Sequence, residues 1–417
     1  MSEETKVLLG NYRVLDLTDE KGFLCGKLFG DLGADVIKIE RPGGDLARNL
    51  GLFYHDTPNP GKSLYWFACN TNKRGITLNI ESLQGQEIFK RLVKTADFVI
   101  ESYPPGYMEK LGVGYSELSQ LKPPLIMTSI TPFGQSGPYA YNKASNLVCE
   151  AMGGLMYIMG SPDKGPLATS FQYAYRHAGL QAVSASLIAN YWRQETGQGQ
   201  HVDVSIQEAV LVTLYYPQQL WSDSHVIQGR YGTKILRQQP GVEILGGFVY
   251  SCKDGYILWR LMTGNLVRFV IALVEWMDEE GMAGELREVD WRNVDISKYS
   301  QEQQNAWERI FANFFLTKTK EELYSEAIKR GIMLFPVNDV DDVLKNPQLE
   351  YRSFWVNVEH PELGTALKYP GVPYRINEIS YQLHRAPLIG EHNQEIYGEE
   401  LGFTEEDLIT LRQSGVI

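Results

Sequence analysis

The sequence predicts an α/β protein in which a parallel sheet is covered by helices on both faces. Short apolar strands alternate with helical stretches over residues 12–129, and this alternation is typical of parallel sheets. Hydrophobic residues make up 43% and charged residues 22% of the 417 residues, as in folded globular proteins. A chain of this length exceeds what one core usually holds, so we expect two compact units, or one large unit with an insertion.

The predicted elements begin with a βαβ unit. Residues 12–17 are the first strand, a helical stretch follows to about Leu32, and residues 34–40 are the second strand. The chain then continues with a helix, a strand, a helix and a strand, at residues 83–94, 97–101, 115–121 and 125–129. Four such strands separated by helices predict one parallel sheet.

A long, largely uncharged run from Phe171 to Arg193 predicts a helix that is buried on most sides, in the core or at a subunit interface. A glycine turn at residues 196–200 leads into a strand at His201–Val204 and a helix from Ser205.

The composition changes beyond about Ser222. Residues 253–255 form a turn between two strand-like runs, and charged helical segments follow at residues 265–280 and 302–329. We therefore expect a large domain, a smaller α+β domain and a C-terminal segment that ends in an acidic helix, at residues 1–221, 222–335 and 336–417.

Charge and hydropathy exclude two kinds of partner. The chain carries 39 basic and 51 acidic residues, for a net charge of −12, and has no basic stripe with interleaved aromatics, so we do not expect nucleic acid as a partner. Residues 1–6 are polar and acidic rather than signal-like, and no apolar run approaches the roughly 20 residues that span a bilayer. We expect a cytoplasmic protein without a membrane partner.

The cysteines and histidines do not show metal-ligand spacing. The four cysteines are scattered without a CxxC pair, and the seven histidines include no HExxH. The sequence therefore predicts neither a metal site nor a disulfide framework. A GxGxxG fingerprint is also absent between the first strand and helix, which disfavours a nicotinamide enzyme.

Seven segments carry a specific resemblance through their order along the chain. They lie at residues 14–18 (VLDLT), 33–40 (GADVIKIE), 44–48 (GDLAR), 70–78 (NTNKRGITL), 133–139 (FGQSGPY), 196–204 (TGQGQHVDV) and 386–392 (APLIGEH). In this order, over residues 10–410, the chain resembles the class III coenzyme A transferases, the family of formyl-CoA and crotonobetainyl-CoA transferases.

The resemblance implies an architecture that local patterns do not give. It implies two interlocked chains, each with a Rossmann-like large domain joined to a small domain, and a C-terminal segment that returns to the large one. Dimerisation would be obligatory. The aromatic content of 12% is compatible with a large apolar interface.

Coenzyme A needs cations for its phosphates, an apolar slot for adenine and polar donors along the pantetheine. By the resemblance, the CoA-contacting positions of the family fall on Arg41, Leu78, Ser102, Lys110 and Lys143, with Ser102 in place of an asparagine. Without the resemblance, Arg41 and Lys110 would be interpreted as solvated surface charges. CoA or acyl-CoA would be a substrate, and we expect no permanently bound cofactor.

The chain departs from the family at the nucleophile. The family's aspartate lies four residues before a glycine that corresponds to Gly179, and here that position is Tyr175. No Asp or Glu occurs between Lys164 and Gln194. A phenol with a pKa near ~10 cannot carry an acyl group to CoA as an anhydride. The family's Ala-Gly-Pro after the first strand is also replaced, by residues 22–24 (GFL), so contacts from that loop are not carried over.

Three hypotheses follow from this departure. In the first, the chain is a subunit of a heteromeric CoA transferase, resembling succinyl-CoA:benzylsuccinate CoA-transferase, and a paralogous partner supplies the aspartate. In the second, a homodimer uses a displaced carboxylate, with Glu150 or Asp163 nearest in sequence. In the third, His177 or Tyr175 serves a racemase-like isomerase, although the racemase aspartate would occupy the same position as Tyr175.

Overall fold

A computed structural model describes residues 7–239 and 242–417; the acidic stretch at residues 1–6 lies outside this part. The chain divides into two compact units, each built from separate stretches. The first unit comprises residues 7–156, Ala168–His225 and Tyr351–Ile417, and the second comprises Tyr157–Leu167 and Val226–Glu350.

The first unit is built on a six-stranded sheet. Its strands are β1 (Arg13–Leu17), β2 (Asp35–Glu40), β3 (Lys73–Thr77), β4 (Phe98–Glu101), β5 (Ile126–Thr131) and β6 (His201–Ser205). They are hydrogen-bonded in the order β3-β2-β1-β4-β5-β6, and all the pairs are parallel. Val14 in β1 pairs with Val36 on one side and Phe98 on the other. The predicted α/β fold with a parallel sheet is confirmed, and β3 is a strand that the sequence pattern did not indicate.

Ten α-helices precede Val226 in the described part of the chain. They are α1 (Phe23–Asp31), α2 (Leu64–Cys69), α3 (Leu83–Thr95), α4 (Tyr107–Lys110), α5 (Tyr115–Leu121), α6 (Asn146–Met152), α7 (Leu155–Ile158), α8 (Tyr173–Thr196), α9 (Ile206–Leu211) and α10 (Tyr215–Ser224). Ser82 starts α3 by accepting a hydrogen bond from the backbone of Gly85, and Gly197, with a φ of 72°, ends α8 in the left-handed region.

Two glycines let α1 lie directly between β1 and α8. A Cβ on Gly26 would come within 2.1 Å of the Asp16 carboxylate, and a Cβ on Gly179 would come within 2.9 Å of Leu24. Only residues without a side chain permit this approach. The start of α8 is thereby held close to the end of β1, which brings the position of Tyr175 to the same edge of the sheet.

Helix α8 is buried on one face rather than on most sides. Its small residues Ala174, Ala178 and Ala182 face the unit, whereas Ile188 and Tyr191 are 71% and 68% exposed. The expectation of a mostly buried helix is thus not met within the single chain. The exposed face of the helix therefore carries large apolar side chains.

The C-terminal part of the chain completes the core of the first unit. It contains β12 (Trp355–His360) and β13 (Thr365–Pro370), which pair antiparallel, and α16 (Glu405–Gln413). Ile396, Tyr397, Leu408 and Ile417 are buried in one cluster with side chains of β1, β2 and α3.

The second unit holds two small antiparallel sheets and a helical layer. Its strands are β7 (Lys234–Gln239), β8 (Val242–Gly247), β9 (Val249–Cys252), β10 (Gly255–Leu258) and β11 (Phe335–Val337). Its helices include α11 (Arg268–Glu279), α12 (Gln301–Phe315), α13 (Lys320–Arg330) and α14 (Val340–Leu344), with α15 (Pro347–Tyr351) at its end. Trp259, Phe311 and Phe315 pack in its core. The predicted helical segment 302–329 is two helices, because Thr319 caps α13 with a capping box.

The C-terminal segment returns later than the sequence suggests. We expected it to begin at residue 336, but β11 pairs with β10, and Pro336 lies opposite Ile257. Residues 336–350 therefore belong to the second unit, and the return begins at Tyr351.

Candidate active site

The strand order of the first unit reverses between β1 and β4, and a cleft of about 350 Å³ opens there. It is lined by residues that directly follow β1, β2 and β4, including Glu20, Arg41 and Ser102. In open α/β sheets, ligands bind outside the carboxyl ends of the strands at this reversal point. The cleft is therefore the candidate active site.

A buried carboxylate fixes the exit of the chain from β1. Asp16 Oδ1 accepts hydrogen bonds from the backbone and hydroxyl of Thr18, at 2.9 and 2.6 Å, and Oδ2 accepts one from Lys73 at 2.7 Å. Lys38 lies 3.5 Å away. Burial would raise the pKa of Asp16, but the two ammonium groups outweigh it and lower the pKa. The loop that enters the cleft is anchored here.

Ser102 lies in the cleft, but its hydroxyl is already engaged. It accepts a hydrogen bond from the backbone N–H of Asp19 and donates one to the Asp19 carboxylate, both at 2.8 Å. The side chain at the family's asparagine position thus ties the end of β4 to the loop after β1.

The segment after β2 forms one wall of the cleft and contains two arginines with different roles. Arg48 is buried and bonds the Glu40 carboxylate through Nε and Nη2, both at 2.7 Å. Arg41 is exposed at the cleft, and its Nε donates to the Gly44 carbonyl at 3.2 Å. Arg41 therefore presents most of its guanidinium to a ligand, whereas Arg48 holds the wall in place.

The structure brings Arg41 and Ser102 to the cleft but not the other predicted CoA contacts. Leu78 is 2% exposed in the core, and its backbone N–H donates to the Glu40 carbonyl at 2.7 Å. Lys110, at the end of α4, and Lys143, in the loop before α6, are exposed and do not line the cleft. The two lysines can reach only the parts of a ligand that extend beyond it.

Tyr175 lies in the first turn of α8 and is 5% exposed. Its backbone N–H donates to Asn146 Oδ1 at 3.3 Å, while within the described residues its hydroxyl has no hydrogen bond. Burial and the nearby Glu20 carboxylate raise the pKa of the phenol. Tyr175 therefore stays neutral and can donate a hydrogen bond, but it cannot act as a carboxylate nucleophile.

His177 packs against Tyr173, with 4.1 Å between the ring centroids. Burial lowers the pKa of its imidazole, which is then neutral at physiological pH. Because Tyr175 takes the place of the acid, the His and Asp pair of a racemase-like isomerase is not formed here.

Glu150 is fully buried and holds the loop that precedes α8. It accepts hydrogen bonds from the Asn146 amide at 2.8 Å and from the backbone and hydroxyl of Thr169 at 3.0 and 2.6 Å. A carboxylate saturated in this way cannot attack a thioester, which argues against Glu150 as the displaced nucleophile. Asp163 is an exposed residue of the second unit.

A carboxylate that we did not single out from the sequence is bonded to Gln172, the residue directly before α8. Glu20 Oε2 accepts a hydrogen bond from the Gln172 amide at 3.1 Å, and Gln172 in turn accepts one from the Tyr65 hydroxyl. Burial and the adjacent Asp19 raise the pKa of Glu20. The run of charged residues 19–21 directly after the predicted first strand is the signal that could have indicated it.

Glu101 is a second group that the sequence did not indicate. It ends β4, is 3% exposed, and accepts a hydrogen bond from the Tyr103 backbone at 2.6 Å. Burial raises the pKa of its carboxyl from an ordinary value of 4.5 to about 7.

The substitution Glu101→Gln is expected to change how the free energy of unfolding depends on pH. Between about pH 4.5 and pH 7 the folded chain binds more protons at Glu101 than the unfolded chain does. The contribution of Glu101 to the free energy of unfolding is therefore full below pH 4.5 and is lost as the pH rises to 7. Urea denaturation at pH 4 and pH 8 should show that the variant gains about 3 kcal/mol relative to wild type between the two pH values. A constant difference between the two proteins would contradict this assignment.

The described part of the chain contains no cluster of three His, Cys, Asp or Glu side chains that could hold a metal ion. All four cysteines are free. No helix among residues 7–239 and 242–417 is both long and apolar enough to cross a membrane.

Comparison with known proteins gives the class of the chain. The model of CoA-transferase family III matches residues 9–393. The chain is 35% identical to the succinyl-CoA:(R)-benzylsuccinate CoA-transferase subunit BbsE of Thauera aromatica, over 97% of both chains. It is 32% identical to a formyl-CoA:oxalate CoA-transferase of Streptomyces coelicolor, over 99% of this chain and 100% of that one.

A solved CAIB/BAIF family structure from Brucella suis is also similar, with a TM-score of 0.82 and 28% identity, over 95% of this chain and 100% of that one. The chain therefore belongs to CoA-transferase family III and is an enzyme of the CoA-transferase class. CoA thioesters are the substrates of this class.

Proposed function

We propose that this chain is one subunit of a cytoplasmic class III CoA transferase that moves CoA from succinyl-CoA to a dicarboxylic acid of the arylsuccinate type. A paralogous partner supplies the nucleophilic aspartate. The observation that carries the proposal is Tyr175 at the nucleophile position of a chain whose family match spans residues 9–393. The relatives' names support a dicarboxylic acceptor, since benzylsuccinate and oxalate are both dicarboxylic acids.

The reaction explains why a carboxylate must come from elsewhere. In the family, the carboxylate attacks the donor thioester to form a mixed anhydride and release the CoA thiolate. The thiolate then attacks the enzyme's acyl carbon, which leaves CoA on the enzyme and frees the donor acid; the acceptor acid repeats these steps in reverse. Tyr175 has a raised phenol pKa and cannot take the part of the carboxylate in these steps.

Three exposed cations support CoA binding by this chain. Arg41, Lys110 and Lys143 have no ion pair with any described residue. Cations without a protein partner are suited to phosphates, and Arg41 is at the cleft itself. We assign these three to the phosphates of CoA and Ser102 to the pantetheine side. Leu78 receives no ligand contact, because its side chain is in the core and its backbone N–H donates to the Glu40 carbonyl.

Exposed apolar side chains support an interlocked dimer with the partner. Besides Ile188 and Tyr191 on α8, helix α10 exposes Tyr215 and Trp221. Patches of this kind usually mark protein interfaces. A heterodimer or a heterotetramer would cover them.

The test is to produce the chain with and without a paralogue from the same genome that carries the nucleophilic aspartate, and to measure CoA transfer from succinyl-CoA to benzylsuccinate by chromatography. We expect turnover only from the co-purified pair, and loss of turnover when the partner's nucleophilic aspartate is replaced by asparagine. The corresponding substitution Tyr175→Phe in this chain is the matched control and should retain most of the activity. Full activity of this chain purified alone would contradict the proposal.

A further inference from the structure

Three polar side chains on adjacent strands lead from the surface to the wall of the cleft. Glu101 in β4 and Ser129 in β5 are direct partners in the parallel register, so their side chains lie on the same face of the sheet. The Ser129 hydroxyl is 2.9 Å from Nε2 of His201, the first residue of β6. Glu101 and Ser129 are 3% and 2% exposed, whereas His201 is exposed. A hydroxyl and an imidazole therefore connect the buried carboxyl to solvent.

Glu101 is also joined to the cleft. Its Oε2 accepts a hydrogen bond from the backbone N–H of Tyr103 at 2.6 Å, and both Ser102 and Tyr103 line the cleft. A charge on Glu101 thus lies one hydrogen bond away from the backbone that a bound ligand meets. Because CoA is a polyanion, its binding in the cleft opposes the ionisation of Glu101 and favours the protonated carboxyl.

The groups around Glu101 place its titration at neutral pH. Burial raises its pKa to about 7, against the hydrogen bonds from Ser129 and Tyr103, which favour the ionised form. The charges of Glu109 on α4 and Lys21 after β1 act on it with opposite signs. The carboxyl is therefore about half ionised at pH 7, and a ligand can change its protonation.

His201 is suited to pass a proton. Its ring stacks on that of Tyr115 in α5, with 5.3 Å between the ring centroids. Partial burial lowers the pKa of the imidazole, although Asp203 and Glu109 oppose this shift, so the ring is neutral at pH 7. A neutral imidazole accepts a proton at one nitrogen while it donates one from the other.

We propose that CoA binding in the cleft is coupled to the uptake of a proton by Glu101, and that this proton enters through His201 and Ser129. A proton from solvent binds Nδ1 of His201, the proton on Nε2 passes to the Ser129 oxygen, and the hydroxyl proton of Ser129 passes to the Glu101 carboxylate. Every N–H or O–H bond that breaks is replaced by one that forms. The net change is one proton taken from solvent, a neutral Glu101 and the other neutral tautomer of His201. The inference rests on the CoA binding proposed above and adds a proton to it.

The coupling has a defined size. With a pKa of about 7, the ratio of ionised to neutral Glu101 in the free cleft rises from about 1:10 at pH 6 to about 10:1 at pH 8. If CoA binds the neutral form, its Kd increases about tenfold over this range. Glu20 and Asp45 also line the cleft with pKa values raised by burial, so the contribution of Glu101 must be measured as a difference between variants.

The first experiment is titration calorimetry with CoA at pH 6 and pH 8, on the chain assembled with its partner. We expect the Kd of the wild type to increase about tenfold more than that of Glu101→Gln, because glutamine is neutral at both pH values. Glu117→Gln, which removes an exposed acid on α5, is the matched control and should behave like the wild type. Equal changes of Kd in the wild type and in Glu101→Gln would overturn the proposal, and so would loss of CoA binding in Glu101→Gln at both pH values.

The second experiment follows proton uptake at pH 7 by stopped flow with a pH indicator. The probe is dephospho-CoA, which lacks the phosphate monoester that itself titrates near neutral pH. We expect the wild type to take up about half a proton more per chain than Glu101→Gln. Ser129→Ala should take up its proton about tenfold more slowly than the wild type, because the hydroxyl of the relay is gone. Ser186→Ala, which removes a buried hydroxyl bonded to Thr128 on the same strand, should be as fast as the wild type.

Uptake in Ser129→Ala at the wild-type rate would overturn the path through His201 and Ser129. Circular dichroism checks the fold of each variant, and if Glu101→Gln does not fold, wild type without any proton uptake from dephospho-CoA would contradict the coupling. Failure of the proposed function is distinct, since it would appear as a wild-type assembly in which this chain binds no CoA at pH 6 or pH 8.

Discussion

Asp16→Asn is expected to lower the free energy of unfolding by about 3–5 kcal/mol. The carboxylate is fully buried between Lys73 at 2.7 Å and Lys38 at 3.5 Å, and it also accepts two hydrogen bonds from Thr18. The amide keeps the shape but leaves the two ammonium groups without their counter-charge in a site closed to water. Lys73 already has its pKa lowered by burial, so it is the group that would lose its proton first.

Urea denaturation followed by circular dichroism at pH 7 measures the effect. Glu87→Gln, which removes the acid of the exposed Lys90 pair, is the matched control and should cost less than about 0.5 kcal/mol. A loss for Asp16→Asn as small as that of the control would show that the buried cluster is not held together by charge.

Arg48→Met should be destabilising by a similar amount, about 3–5 kcal/mol, and should also weaken CoA binding. The guanidinium makes a two-bond pair with Glu40, donates to the Pro387 carbonyl at 2.9 Å, and lies 3.7 Å from the Trp66 ring centre. Methionine replaces the packing but leaves the Glu40 carboxylate buried and unpaired at the wall of the cleft.

Denaturation gives the stability change, and titration calorimetry with CoA gives the change in binding. Lys90→Met, the cation of the exposed pair with Glu87, serves as control and should alter neither. The double variant Arg48→Met with Glu40→Leu should recover much of the stability, since it removes both charges. No recovery would mean that the contacts to Pro387 and Trp66 matter more than the ion pair.

Local sequence patterns predicted most of the first unit's elements but not all. The strands at residues 12–17 and 34–40 and the helix at 115–121 agree with the structure to within one residue. Strand β3 was missed because it begins with Lys73 and Arg74, charges that normally mark a surface. Lys73 is nevertheless buried, because Asp16, 57 residues earlier, neutralises it.

The candidate site was only partly predictable. The resemblance identified Tyr175, because the motifs around it fix the position at which the family has its aspartate. Glu20 could not be placed at the start of α8, because its contact with Gln172 spans 152 residues and depends on the close approach of α1 to α8. Likewise, the resemblance placed Leu78 at a CoA-contacting position, whereas its side chain is in the core.

The return of the chain to the first unit from Tyr351 has a consequence for folding during synthesis. The six strands of the sheet are complete once residue 205 has been made, yet Ile396, Tyr397, Leu408 and Leu411 belong to the same buried cluster as the strands. A nascent chain must therefore keep an apolar surface uncovered on the ribosome while the whole second unit is translated. We expect chaperone holdase binding to persist through that interval and to end only after the last helix emerges.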